Sequence, residues 1–301
     1  MIRIGSRGSA LALWQARHVE AMLVARGHDV RIQRITTSGD RSLEGRLQAI
    51  GGKGAFLKEI EEALLAGQVD LAVHSLKDVP TVVVDELVLC AILPRADPRD
   101  ALVSASRCAL RELPAGSRVG TTSLRRKAQI LARRPDLLVQ DLRGNVDTRL
   151  RSLNEGRYEA IVLALAGLVR LGRDGEVTEV LDPEAMLPAP GQGAIALQCR
   201  QDDRSTRHAA ASFHHEPTAR AVAAERSLLG ALEAGCNVPL GALAVETSGG
   251  LRLTALVARE DGSEVLRHEA VGADPLALGR AVAAALLARG AAALLSARPS
   301  A

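Results

Sequence analysis

Arginines recur where this sequence passes from strand-like to helix-like residues, each beside a residue suited to cap a helix. Arg7-Gly8-Ser9 leads into one such stretch, Thr121-Thr122-Ser123-Leu124-Arg125-Arg126 into a second, and Arg143-Gly144-Asn145 into a third. Arg125 and Arg126 fall in the first turn of the helix that Ser123 would cap, where the helix dipole disfavours a cation by roughly 0.3–1 kcal/mol each. An anion bound at that end reverses the sign. The planar guanidinium fork matches a carboxylate or phosphate through two hydrogen bonds. The plainer alternative for any one junction is a solvated arginine paired with a nearby acid; three junctions in one chain favour an anion cleft. Arg149, on the helix that Asn145 would cap, and Arg170, beyond a strand ending near Ala164, extend the set.

Other residues add possible chemistry. In Val73-His74-Ser75-Leu76-Lys77-Asp78-Val79-Pro80, an adjacent Lys77 and Asp78 follow a buried strand. They suit a ligand with both negative and developing positive charge, or else form a surface ion pair in a turn. Gly51-Gly52-Lys53-Gly54 sets a lysine among glycines, but no Ser or Thr follows it, so the phosphate loop of a nucleotide hydrolase is not present. Cys236 lies in the loop Gly235-Cys236-Asn237-Val238-Pro239, reachable where the strand residues Cys90 and Cys199 are not; an inert packed cysteine is the competing reading. His214-His215 lacks further ligands at metal spacing and suits a capping or structural role, so no metal site is expected.

The elements that would position these residues alternate. Strands are expected at Ile2–Gly5, Val30–Thr36, Val69–Val73 and Leu87–Ile92, with helices at Ser9–Arg26 and Ala55–Ala66. A Pro-rich break, Leu93 to Pro98, precedes a second block: strands at Ala101–Ser104, Ser117–Gly120, Leu138–Leu142 and Ala160–Ala164, and helices at Ser123–Arg134 and Asn145–Asn154. After a second break, Leu187 to Gly193, a helix at Thr218–Leu232, hairpin-like strands at Leu240–Val245, Leu251–Arg259 and Glu264–Ala270, and a helix at Pro275–Arg289 suggest a smaller α+β domain. The first two blocks share length and rhythm without a residue-level repeat.

Composition narrows the class. Hydrophobic residues make up 47% of the 301 and aromatic residues 1%, so Leu, Val, Ile and Ala must fill the cores. Arg118 to Arg151 carries nine Lys/Arg against three Asp/Glu, whereas Glu216 onward has eight against nine. Positive charge is thus concentrated mid-chain, where it can attract an anionic ligand. The four cysteines show no C-x-x-C spacing, no run approaches a membrane span, and no apolar leader opens the sequence. A cytoplasmic, reduced protein is the expectation, with no membrane partner.

Eight motifs in order resemble the porphobilinogen deaminase (hydroxymethylbilane synthase) family over nearly the whole chain. They are Ser9-Ala10-Leu11-Ala12-Leu13-Trp14-Gln15, Gly51-Gly52-Lys53-Gly54-Ala55-Phe56, the Ala72–Pro80 run, Asp97-Pro98-Arg99-Asp100-Ala101, Gly120–Arg126, Leu142–Val146, Pro190-Gly191-Gln192-Gly193-Ala194 and Gly235–Pro239. The resemblance implies a transferase of tetrapyrrole (porphyrin, heme) biosynthesis. Four porphobilinogens condense head to tail with loss of ammonia, and hydrolysis frees linear hydroxymethylbilane. Each pyrrole bears an acetate and a propionate, which accounts for the arginines.

The resemblance further implies that Asp78 is the catalytic carboxylate and that Cys236 carries a dipyrromethane cofactor through a thioether. Cofactor and substrate binding would fall to Arg7, Ser9, Lys53, Phe56, Ser75, Lys77, Thr121, Ser123, Arg125, Arg126, Arg143, Gly144, Arg149, Arg170 and Gln192. The expected fold class is α/β: two similar βα domains resembling periplasmic-binding-protein-like domains around a cleft, and a smaller C-terminal α+β domain. The division expected is 1–93 plus 194–213, then 99–187, then 216–301 with the cofactor cysteine, and the two Pro-rich breaks are candidate hinges. The family's usual state implies a monomer, with transient contact to the next pathway enzyme. Ala49 stands where many members have lysine. Arg41 or Arg46 of the Asp40–Arg46 segment could replace that charge, or the segment could act as a lid. The rivals are a non-enzymatic anion-binding protein with a two-domain cleft, and a nucleic-acid binder, for which stacking aromatics are nearly absent.

Overall fold

A computed structural model describes residues 1–36, 57–233 and 238–296. Expectations about Arg41, Arg46, Ala49, Lys53, Phe56 and Cys236, and about a helix start at Ala55, lie outside the described residues. In chain order the elements begin with β1 (Ile2–Ser6), α1 (Ala10–Val24), β2 (Val30–Arg34), α2 (Lys58–Leu65), β3 (Leu71–Ser75) and β4 (Leu87–Ile92). Next come β5 (Asp100–Ser104), β6 (Arg118–Gly120), α3 (Leu124–Arg133), β7 (Leu138–Gln140), α4 (Val146–Asn154), β8 (Ala160–Ala164), α5 (Leu165–Arg170) and β9 (Glu179–Leu181). The chain continues through β10 (Ile195–Arg200), α6 (Arg204–Ala211), α7 (Glu216–Ala231), β11 (Leu240–Thr247), β12 (Gly250–Ala258), β13 (Val265–Gly272), α8 (Pro275–Ala288) and α9 (Ala291–Ser296).

Two compact units result, one of Met1–Ala96 with Gly193–Ala219, the other of Asp97–Gln192 with Arg220–Ala301. The first holds a five-stranded sheet in the order β2-β1-β3-β10-β4. Strands β2, β1 and β3 are parallel, and β10 lies antiparallel between β3 and β4. Its core joins Ile4, Val19 and Leu23 to Leu71, Leu197 and Phe213.

The second unit contains a sheet ordered β7-β6-β8-β5-β9, again three parallel strands followed by an antiparallel one. The two sheets therefore share a strand order that no residue-level repeat announces. The same unit carries the antiparallel meander β11-β12-β13, whose inner face packs on α7 and α8 through Leu228, Leu253, Val257, Val282 and Leu286. The architecture is mixed α/β with a smaller C-terminal sheet domain.

Boundaries differ from the periodicity for local reasons. The strand expected at Val69 starts at Leu71, because the N–H groups of Gln68 and Val69 still return to the Ala63 carbonyl at the end of α2. The helix expected from Thr218 starts at Glu216, since His215 Nδ1 accepts from the Thr218 N–H and lies 2.8 Å from its hydroxyl. His214 Nδ1 accepts from the Ile92 N–H, so both histidines are structural.

Candidate active site

In the first unit, the residues singled out by sequence follow the C-terminal ends of the neighbouring parallel strands β1 and β3, where open α/β sheets bind ligands. Arg7 follows β1, and Ser9 caps α1 by accepting from the Ala12 N–H at 3.3 Å. Ser75 ends β3, and Leu76–Asp78 forms one 3₁₀ turn that places Lys77 and Asp78, both half-buried, just beyond the strand. Buried Gln15 reaches across from α1 and donates to Ser75 Oγ at 2.8 Å. Beneath the turn, His74 is buried; burial pushes its imidazole down to about 4, against the Gln198 hydrogen bond and the Asp78 charge, which pull upward.

In the second unit, the parallel strands β6 and β7 end in the same way. Ser123 caps α3 and Asn145 caps α4, each accepting from the N–H three residues on. Gly144 has φ +105°, and a Cβ there would lie 2.8 Å from Thr148 Cγ2, so the turn requires glycine. Arg149 Nε donates to the Gly144 carbonyl at 2.8 Å, and Arg143 is exposed. Arg170 ends α5, and burial lowers its pKa. Thr121 is buried, its hydroxyl accepting from the Ser123 N–H.

Arg125 and Arg126 already meet an anion within the chain. They are neither solvated nor left to an outside anion alone: their side chains are 4% and 7% exposed and converge on Asp100, which is 0% exposed. Arg125 Nη1 donates to Asp100 Oδ2 at 2.7 Å and to the Leu187 carbonyl at 2.6 Å. Arg126 donates to Asp100 Oδ1 through Nη2 at 2.8 Å and Nε at 3.2 Å, and to the Val162 carbonyl through Nη1. Burial alone would push the Asp100 carboxyl up; the two guanidinium charges outweigh it and hold the group well below the usual carboxylate range. Burial likewise lowers Arg125.

Gln192 completes the cluster. Its side-chain nitrogen donates to the Pro98 carbonyl at 2.7 Å and to Asp100 Oδ1 at 2.9 Å, and it too is buried, so its observed role is to brace Asp100. Asp100 was missed as a site residue. The available signal was an acid opening an apolar strand in a chain whose helix starts with two arginines.

Comparison with known proteins decides what this arrangement belongs to. Residues 2–208 match the porphobilinogen deaminase, dipyromethane cofactor binding domain, and residues 219–288 match the porphobilinogen deaminase, C-terminal domain. The chain belongs to the porphobilinogen deaminase family. A porphobilinogen deaminase of Acidithiobacillus ferrooxidans is 52% identical over 296 residues, covering 98% of this chain and 97% of the relative. One from Brevibacillus brevis is 49% identical over 292 residues, covering 96% and 94%. Family membership makes the chain a transferase with hydroxymethylbilane synthase function in porphyrin biosynthesis, built with a dipyrromethane-binding domain; the non-enzymatic anion-binding alternative is not favoured.

Among solved structures, an ABC transporter periplasmic substrate-binding protein from Coxiella burnetii matches at 15% identity and a TM-score of 0.45, covering 75% of this chain and 97% of that one. The methionine binding protein MetQ matches at 15% and 0.45, covering 70% and 89%. Among the described residues, no helix is long and apolar enough to cross a membrane, and no group of three or more His, Cys, Asp or Glu could hold a metal ion.

Proposed function

We propose that the two strand-end clusters divide the work of hydroxymethylbilane synthesis: the first unit handles the reacting pyrrole and the second holds carboxylates of the cofactor and growing chain. The observation that carries this reading is the buried Asp100 cluster, where two guanidiniums share one carboxylate and Arg125 Nε is buried with no hydrogen-bond partner. A site with surplus positive charge and an unused donor fits a polycarboxylate group. Arg125, Arg126, Arg143, Arg149 and Arg170, with Thr121, Ser123 and Gly144, would hold it, and Gln192 acts through Asp100. Cys236 would hold a dipyrromethane through a thioether, and that group would supply the pyrrole end to which substrate is joined.

Asp78 is the catalytic carboxylate. It sets a negative charge beside the substrate pyrrole where positive charge develops as ammonia leaves, and it accepts hydrogen bonds from pyrrole N–H groups. Arg7, Ser9, Lys53, Ser75 and Lys77 bind the acetate and propionate groups of the substrate. Gln15 keeps the Ser75 hydroxyl in place, and Phe56 packs near a ring. The three domains are 1–93 with 194–213, 99–187, and 216–301. The protein works in the cytoplasm as a monomer, with transient contact to the next enzyme of the pathway.

Intact mass of the purified protein beside its Cys236→Ala variant tests this reading. The wild type should be heavier than its sequence by two deaminated porphobilinogen units, and the variant should sit at sequence mass. A wild type that stays at sequence mass even after incubation with porphobilinogen would overturn the cofactor and the attachment site together.

A further inference from the structure

We propose that Asp100 sets the charge presented at the start of α3, leaving the Arg125–Arg126 pair with one net positive charge matched to a single carboxylate rather than to a doubly charged anion. This rests on the reading that these arginines serve ligand carboxylates. The other side-chain hydrogen-bond partners of these three residues are neutral: the Leu187 carbonyl on Arg125, the Val162 carbonyl on Arg126, and the Gln192 amide on Asp100. Two buried guanidiniums and one buried carboxylate therefore sum to one positive charge. A buried charge without a counterion carries a desolvation penalty that a bound anion removes.

Two further features have the same sign. The dipole of α3 places partial positive charge at its N-terminus, where Ser123 caps it. Arg125 Nε, on a side chain 4% exposed, has no acceptor. The nearby acid Asp97 is taken by Arg99, at 2.6 Å, and adds no net charge. A carboxylate monoanion brings the cluster to neutrality, whereas a dianion overshoots it. Asp100 touches no ligand in this account; it is a positioning and charge-setting residue.

The charge account makes a quantitative demand on anion selectivity. Removing the Asp100 charge strengthens every anion, but the logarithm of the gain scales with anion charge. If acetate binds about threefold more tightly to Asp100→Asn, sulfate should bind about tenfold more tightly at low ionic strength. Both anions would be titrated by thermal shift into the full chain carrying Cys236→Ala, which keeps a thioether-linked group out of the site. The sulfate-to-acetate ratio should rise about threefold in Asp100→Asn and fall by a similar factor in Arg126→Gln, which lowers the cluster charge by one.

Asp100→Asn leaves two like charges buried together; should it fail to fold, Arg126→Gln alone decides the matter. An unchanged ratio in a folded variant would overturn the inference. Cofactor loading of Arg126→Gln in the Cys236 background, read by intact mass, separates the two levels. Normal loading with an unchanged substrate KM would sink the carboxylate-binding reading itself. Impaired loading with an unchanged ratio would sink only the role of Asp100.

Discussion

His74 Nε2 lies 2.9 Å from Oε1 of Gln198, and Gln198 in turn donates its amide nitrogen to Glu61 Oε1 at 2.9 Å. With that nitrogen given to Glu61, the oxygen faces the ring, so Nε2 carries a hydrogen, and burial keeps the imidazole neutral near pH 7. A hydrogen-bonded relay, buried at His74 and Gln198 and ending on half-buried Glu61, thus ties β3, which leads into the Asp78 turn, to β10 and α2.

The relay makes stability depend on pH. Burial holds the His74 pKa at about 4, below its ordinary 6.5, despite the raising effects of Gln198 and Asp78. Between those values the unfolded chain takes up a proton that the folded chain refuses, so stability falls as pH drops from 6.5 towards 4. The slope approaches about 1.4 kcal/mol per pH unit, for a loss of about 3 kcal/mol. Asp70 has burial raising its pKa, but its bonds to Arg3 and Arg200 outweigh that and hold it at about 2, so its contribution is lost only at lower pH. Urea midpoints at pH 7, 6 and 5 should fall in the wild type and stay nearly level in His74→Gln. Equal slopes would remove His74 as the cause.

The tip of the β12–β13 hairpin makes a separate demand. Gly262 has φ +75°, and a Cβ there would lie 2.4 Å from the Ala132 nitrogen and 2.7 Å from the Ala128 carbonyl oxygen, both backbone atoms of α3. Lys127 on the same helix pairs with Glu260 beside the turn, at 2.6 Å. Gly262→Ala combines a strained backbone with a clash that no side-chain rotation relieves, and should destabilise the chain by about 2 kcal/mol or more. Gly175→Ala, with open space at its Cβ, serves as the control and should change the urea midpoint little.

Local rules were legible in the sequence, and long-range partners were not. Ser9, Ser123 and Asn145 cap the helices their positions implied, because a cap is decided within four residues. The three-residue strand β9 is too short to show a period, and the antiparallel placement of β5 and β10 depends on neighbours far along the chain. The same limit hid Asp100. The dipole argument marked Arg125 and Arg126 as needing an anion, but nothing local says that the first one sits 25 residues upstream on β5. The motif marked Gln192 as a site residue, but only the fold shows that its buried amide braces that carboxylate.

Glu225 offers a similar hidden link. Fully buried on α7, its carboxylate accepts from the Gly191 N–H at 2.6 Å and from the Ala244 N–H at 2.8 Å, joining the Pro190–Gln192 segment to β11. In Glu225→Gln one oxygen becomes an NH₂ group facing a backbone donor, so one buried N–H loses its acceptor. A loss of about 2 kcal/mol is expected. Calorimetry or urea unfolding checks it, and an unchanged midpoint would mean that the segment relaxes onto another acceptor.

Asp78→Asn separates chemistry from architecture. Asparagine keeps the shape of the side chain in the turn after β3 while removing its charge, and Asp78 is half-buried at a strand end rather than packed in the core. Stability should therefore stay within about 0.5 kcal/mol of wild type, as for a substitution away from core and network positions. If the carboxylate stabilises positive charge as ammonia leaves, kcat should fall about 10²–10³-fold, the scale expected when one well-placed electrostatic group is lost from a transition state. Substrate KM should change far less, because the proposed assignment gives the acetate and propionate contacts to Arg7, Ser75 and Lys77. Hydroxymethylbilane formation, followed through acid oxidation to a coloured porphyrin, reports kcat. A variant that keeps wild-type turnover would move the catalytic role to another group, whereas a matching rise in KM with kcat intact would make Asp78 a binding residue.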